Sequence, residues 1–334
     1  MSMFRLKPVF KDYLWGGERL KELFGKRTDV SPLAESWELA AHPDGDCTVA
    51  DGPLAGAPLS EYLRRFPGAL GSRVPEGDGL PVLIKLIDAR EPLSVQVHPC
   101  DEYAARVEGG RGKTEMWCVL DRTPGAFLYC GFQRATELDE VRARIADGTL
   151  DQVLHRVYVE PGDVVFIPAG TVHAIGAGIV LAEIQQSSNT TYRMFDYGRR
   201  GPDGKQRPLH VERALDVATL GPADIEPPGR EGPRTLPGGT IERLTSCPFF
   251  TVDLLALDGV ASLALEDASF LSVLCLEGGA TLLRGDGRME VAKGDSLFIP
   301  AGEGELIMDG AGSLLLTGAG HDPRDPEVER TGSF

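Results

Sequence analysis

What this chain lacks narrows its identity first. Its six cysteines, Cys47, Cys100, Cys118, Cys130, Cys247 and Cys275, nowhere fall at C-x-x-C spacing. The opening Met-Ser-Met-Phe-Arg-Leu-Lys-Pro holds no apolar signal-peptide core, and no window approaches a membrane span. A cytoplasmic protein with reduced thiols is expected, where a disulfide framework is disfavoured. Positive charge is scarce as well. With 34 Lys and Arg against 50 Asp and Glu, the formal charge is −16, which argues against nucleic acid or an anionic membrane as partner. An anionic substrate would need a locally basic pocket.

Long helical patterns are also missing. With 41 Gly and 24 Pro, the chain suits many short strands joined by turns. Helical stretches are expected only at 18–24, stopped by Gly25, at 59–66, stopped by Pro67-Gly68, at 136–154 with a break at Gly148, and at 210–220. Elsewhere apolar runs are short or alternate. Residues 35–40 read as a half-exposed strand, with Trp37 and Leu39 on one side and Ser36 and Glu38 on the other. The fold expected is mainly β, built as two barrels.

A repeated phrase supports that number. Residues 159–173, Val-Glu-Pro-Gly-Asp-Val-Val-Phe-Ile-Pro-Ala-Gly-Thr-Val-His, return at 291–305 as Val-Ala-Lys-Gly-Asp-Ser-Leu-Phe-Ile-Pro-Ala-Gly-Glu-Gly-Glu. Each is a turn, a buried strand and a second turn. His173 ends the first copy where Glu305 ends the second. If the strands before the repeats are matched, Leu271 stands where Glu115 does. The expected division is a metal-binding domain at 1–220, a Pro/Gly-rich linker at 221–239 and a degenerate second domain at 240–334.

In the first copy, Ser94, Gln96 and His98 share one strand face, and Lys113, Glu115 and Trp117 share another. Facing into a barrel, such polar groups must bind something. Gln96, His98, Glu115 and His173 together offer an amide oxygen, two imidazoles and a carboxylate. That set would hold a divalent cation and leave a position open for chemistry. It suits zinc, and would also accept manganese, iron or cobalt.

These motifs carry a family resemblance. Gly162-Asp163, Pro168-x-Gly170 and His173 are similar to the second cupin signature, and Gln96-x-His98 with the later Glu115 to a diverged first signature. Trp15-Gly16-Gly17, Glu35-Ser36-Trp37-Glu38, Leu83-Ile84-Lys85, residues 94–99, Gly112-Lys113-Thr114-Glu115, Glu183-Ile184-Gln185-Gln186 and Thr191-Tyr192-Arg193 resemble the short bacterial form of type I mannose-6-phosphate isomerases. The likeness spans about residues 8–215, with the remainder resembling a second, weaker cupin (jelly-roll) barrel. It implies a zinc-dependent isomerase acting on mannose 6-phosphate and fructose 6-phosphate, with Gln96, His98, Glu115 and His173 as ligands and Arg193 as catalytic arginine. Cys100 departs from the acidic residue usual after His-Pro.

Isomerisation between C1 and C2 removes a proton beside a carbonyl and passes through an enediolate, so a base and a positive group are needed. Arg193 can stabilise the enediolate. Lys85 and Lys113 can hold the phosphate or carry a proton, and Glu183 is either the base or the partner of Arg193 or Lys113. Two other readings are a metal-dependent cupin oxygenase and a non-catalytic sugar-phosphate binder. The oligomeric state is left open.

Overall fold

The computed structural model describes residues 2–201 and 203–321. Two antiparallel sheets form the first barrel. One orders six strands as Val164–Ile167, Glu115–Arg122, Ile179–Gln186, Val82–Ala89, Glu35–Leu39 and Val9–Lys11. The other orders five as Leu154–Tyr158, Phe127–Phe132, His173–Ile175, Val95–Val97 and Tyr192–Phe195. Alternation puts Trp117, Val119, Ile167 and Leu181 from one sheet against Leu128 and Ile175 from the other, and these form the barrel's apolar core.

The second barrel is built around the long strands Phe250–Leu265, Leu271–Arg284 and Gly304–Ala319, with Leu255, Leu263, Val273, Leu282, Leu297 and Leu316 inside. Its sheet also takes the N-terminal strand Phe4–Lys7, which pairs with Ser296–Ile299 so that Phe4 lies opposite Phe298. Trp37, Phe166, Phe250, Phe270 and Phe298 belong to one further core that joins the barrels. The two copies superpose in register. Ile167 lies opposite Glu115, and Ile299 lies opposite Leu271, so Leu271 is the counterpart of Glu115.

Three expectations need correction. Residues 136–154 are not one helical segment: the helix Leu138–Ala146 stops before Gly148, a 3-10 turn follows at Leu150–Gln152, and Leu154 already begins a strand. Gly148 at φ 68 takes the left-handed conformation that ends a helix. The stretch at 221–239 is not wholly a linker, since Glu231–Leu236 pairs with Gly239–Ser246 in the second sheet. The strand Glu35–Leu39 is not half exposed, because all five of its residues are buried.

That last correction has a physical cause. The strand's second face meets the other barrel, and polar groups there find partners. Glu38 accepts a hydrogen bond from Ser36 Oγ at 2.6 Å and lies 2.7 Å from Lys26 Nζ. Lys26 Nζ also donates to Gly294 O at 2.6 Å, and Ser296 Oγ donates to Glu38 O at 2.9 Å. Lys26 thus bridges the carboxylate of one barrel and the backbone of the other. Lys26→Met should lower stability by about 3–5 kcal/mol, because it leaves a buried carboxylate unpaired. Urea denaturation measures this, and a loss below about 1 kcal/mol would show that the pair does not hold the barrels together.

Candidate metal centre and cavity

The turn that follows Ile167 brings the candidate ligands together. Gly170, at φ 89, donates its N–H to His98 O at 2.8 Å, and Ala169 N donates to Thr114 Oγ1 at 3.2 Å. One turn is therefore bonded both to a histidine segment and to the residue before Glu115. Three residues later the chain enters the strand His173–Ile175, with His173 opposite Gln96. A side chain at Gly170 would be strained by the left-handed φ, and its Cβ would come within 3.1 Å of Val217 O.

His98, Glu115 and His173 converge so that one ligand atom from each lies within 4.8 Å of the others. His98 Nε2 is 3.5 Å from one Glu115 oxygen, and His173 Nε2 is 3.4 Å from the other. Each imidazole is oriented from behind: His98 Nδ1 lies 2.9 Å from Thr190 O, and His173 Nδ1 lies 2.8 Å from Thr171 O. With protons on those nitrogens, both Nε2 lone pairs face inward, the arrangement a metal ligand requires. Glu115 Oε1 is buried without a hydrogen bond among the described residues, and Oε2, equally buried, meets the Lys113 ammonium and the His98 ring. Gln96 completes the expected set, its side-chain amide 3.3 Å from His173 Nε2. Rotated about its last bond, that amide presents oxygen at the same place. This donor set fits a divalent cation.

Burial governs the electrostatics. It lowers His173 from 6.5 to about 4, and together with the Lys113 ammonium it holds His98 well below the usual imidazole value. Burial and then the Glu183 carboxylate push Glu115 above the usual carboxyl range. Burial acts in the same sense on Glu183, but the Lys113 and Lys85 ammonium groups outweigh it and hold that carboxyl low. For Lys85 burial opposes the charge, yet Glu183 and Glu35 overcome it and raise the ammonium above its usual value.

Contacts explain those directions. Lys113 Nζ is 2.5 Å from Glu115 Oε2 and 3.0 Å from His98 Nε2. Lys85 Nζ donates to Glu183 Oε1 at 2.9 Å, and Trp117 Nε1 donates to Glu183 Oε2 at 3.0 Å. Glu183 therefore pairs first with Lys85, with Lys113 at 3.9 Å, and is not paired with Arg193.

A cavity of about 260 Å³ opens beside the cluster, and Lys85, Gln96, Lys113, Glu183 and Arg193 all line it. Arg193 is half-buried, its Nε donating to Ser94 Oγ at 3.3 Å and its Nη1 to Pro208 O at 2.9 Å. Tyr13, Glu35 and Arg207, which were not singled out as site residues from the sequence, also line the cavity. Arg207 donates from Nε and Nη2 to Asp196 at 2.8 and 2.6 Å, and its Nη1 has no partner among the described residues. Only the Glu35-Ser36-Trp37-Glu38 motif hinted at one of them. The Arg199-Arg200 pair divides: Arg200 is exposed, whereas Arg199 is partly buried and donates to Pro92 O.

Glu115→Gln and His173→Ala should each abolish retained metal, whereas Arg193→Ala should keep about one ion per chain after dialysis. Elemental analysis decides this, and metal lost from the arginine variant would give Arg193 a structural role instead. In metal-free protein, the depressed His173 value makes the unfolded chain the better proton binder between pH 6.5 and about 4. Its contribution is complete above 6.5 and is lost as pH falls towards about 4. Melting temperature should therefore drop with acidity over that window, and less steeply in His173→Ala.

Comparison with known proteins identifies the family. The family model for the type I phosphomannose isomerase catalytic domain matches residues 3–113, and that for the mannose-6-phosphate isomerase cupin domain matches 240–317. The chain is 39% identical over 306 residues to mannose-6-phosphate isomerase ManA of Bacillus subtilis, covering 90% of this chain and 93% of that protein. It is 38% identical over 288 residues to the mannose-6-phosphate isomerase of Streptococcus mutans, covering 86% and 89%. A crystal structure of the Bacillus subtilis mannose 6-phosphate isomerase superposes with a TM-score of 0.89 at 34% identity, over 95% of this chain and 99% of that one. With its two cupin-like β-barrels, the chain belongs to the type I mannose-6-phosphate isomerase family.

Proposed function

We infer that this chain interconverts mannose 6-phosphate and fructose 6-phosphate, with one zinc ion held by Gln96, His98, Glu115 and His173, and that it works in the cytoplasm. One observation carries the reading: two imidazoles and a carboxylate meet an amide, Gln96, that lines a cavity together with Arg193 and Arg207, in a chain whose net charge is −16. When bound, zinc supplies Lewis-acid polarisation of a sugar oxygen.

The remaining roles belong to side chains of the cavity. Arg193 keeps its charge when half-buried, and its Nη2, which has no protein partner among the described residues, is available to an enediolate oxygen. Lys113 lines the cavity beside the ligands and is the group best placed to carry a proton between C1 and C2. Glu183 serves less well as a base than the sequence suggested, because both its oxygens are engaged. Its task is to keep Lys85 and Lys113 charged and in place.

The phosphate belongs at the arginine wall. Near Lys85 or Lys113 a dianion would meet Glu35, Glu115 and Glu183, whereas Arg207 Nη1, without a partner among the described residues, can take it while Arg193 Nη2 serves the enediolate. The purified protein should turn over fructose 6-phosphate in a coupled assay, lose that activity on chelation and regain it with zinc. Arg193→Ala should reduce kcat by about a hundredfold or more with metal retained. Full activity after verified metal removal would overturn the metal assignment.

A further inference from the structure

Glu35 is the carboxylate of this cavity that keeps one oxygen without a partner among the described residues, since Lys85 and Trp37 both approach the other. It sits on the strand Glu35–Leu39 with its side chain 9% exposed, and it lines the cavity. Oε2 accepts the indole N–H of Trp37 at 2.6 Å, which fixes the carboxylate's orientation. Lys85 Nζ stands 3.9 Å from the same oxygen, beyond hydrogen-bond distance, and donates instead to Glu183. Oε1 has no hydrogen-bond partner among the described residues, and it is not sealed in the protein as the two Glu115 oxygens are.

We propose that Glu35 is a specificity-determining residue whose Oε1 accepts a hydrogen bond from a hydroxyl of the sugar. The inference rests on the sugar-phosphate reading above. A carboxylate oxygen on a cavity wall that accepts hydrogen bonds must be met by an O–H or N–H donor, and the group that meets it cannot be an anionic oxygen. Phosphate is thereby kept from this wall, and the polyol end of the substrate is drawn to it. Glu35 and Lys85 then offer the substrate one acceptor and one cation side by side, while Arg193 and Arg207 offer only donors. Acceptor and donor walls give the substrate a direction in the cavity. An oxygen aimed at a hydroxyl rejects an analogue that lacks it, because the bound analogue covers the acceptor and leaves it unpaired.

Glu35→Gln tests this with little change of shape. The glutamine oxygen can still accept from Trp37, while an NH2 group replaces the free acceptor. With metal content and melting temperature near those of the parent, KM for fructose 6-phosphate should rise about tenfold to a hundredfold. The inhibition constant of inorganic phosphate, which is directed to the arginine wall, should stay within about twofold, whereas Arg207→Met should raise it. An unchanged KM overturns the proposal. So does a fall in kcat with KM unchanged, which would make Glu35 a support for Lys85. An equal rise in KM and in the phosphate inhibition constant would show general damage to the cavity and likewise overturns it. If the parent itself fails to turn over fructose 6-phosphate, the isomerase reading fails and takes this inference with it.

Discussion

The structure depends on a row of alternating charges buried in the first barrel. Glu35, Lys85, Glu183, Lys113 and Glu115 succeed one another across neighbouring strands, with separations of 3.9, 2.9, 3.9 and 2.5 Å between charged atoms. None of these side chains is more than 9% exposed. Any one of them alone would be costly in that position, and each is tolerable because the next neutralises it. Two indole N–H groups, from Trp37 and Trp117, pin the carboxylates at Glu35 and Glu183. Three carboxylates and two ammonium groups leave one negative charge over, a deficit suited to a cation beside Glu115.

The second barrel shows what the fold needs when this row is removed. In the first barrel Trp117, Glu183 and Lys85 stand opposite one another across three strands; in the second, Val273, Leu316 and Asp253 take the same places. The remaining charge, Asp253, is paired with Arg243 at 2.5 Å. Backbone turns are kept while chemistry is lost. Both Gly162 and Gly294 adopt left-handed φ in the matching turns, and Asp163 and Asp295 each bond back to a backbone N–H three residues earlier. Gly-Asp is thus a requirement of the turn, whereas the turns and strands form without a glutamate at the position of Glu115 or a histidine at that of His173.

Charge segregation reconciles an acidic chain with an anionic substrate. Lys85 and Lys113 are offset by carboxylates within the barrel, so they contribute little net attraction for a phosphate. Arg193, Arg199 and Arg207 cluster near a single carboxylate, Asp196, which leaves a positive excess at the cavity's other wall.

Much of this was determined by the sequence alone. Alternation on 94–98 and 113–117 put Gln96 with His98 on one strand face and Lys113 with Glu115 on another, and the repeated phrase singled out His173 by its absence from the second copy. Strand period and turn chemistry are local, so they survive without tertiary context. Tertiary structure decided the rest. Glu35 and Arg207 reach the cavity through strand order and loop packing, which no spacing between residues 35, 85 and 207 encodes. The strand Glu35–Leu39 looked half exposed because its polar residues alternate, and it is buried because a second barrel packs on that face and supplies Lys26 with a backbone acceptor. Glu183 was ambiguous for the same reason: a carboxylate becomes a base or a counter-ion according to which cations the fold places beside it, and here it places two lysines.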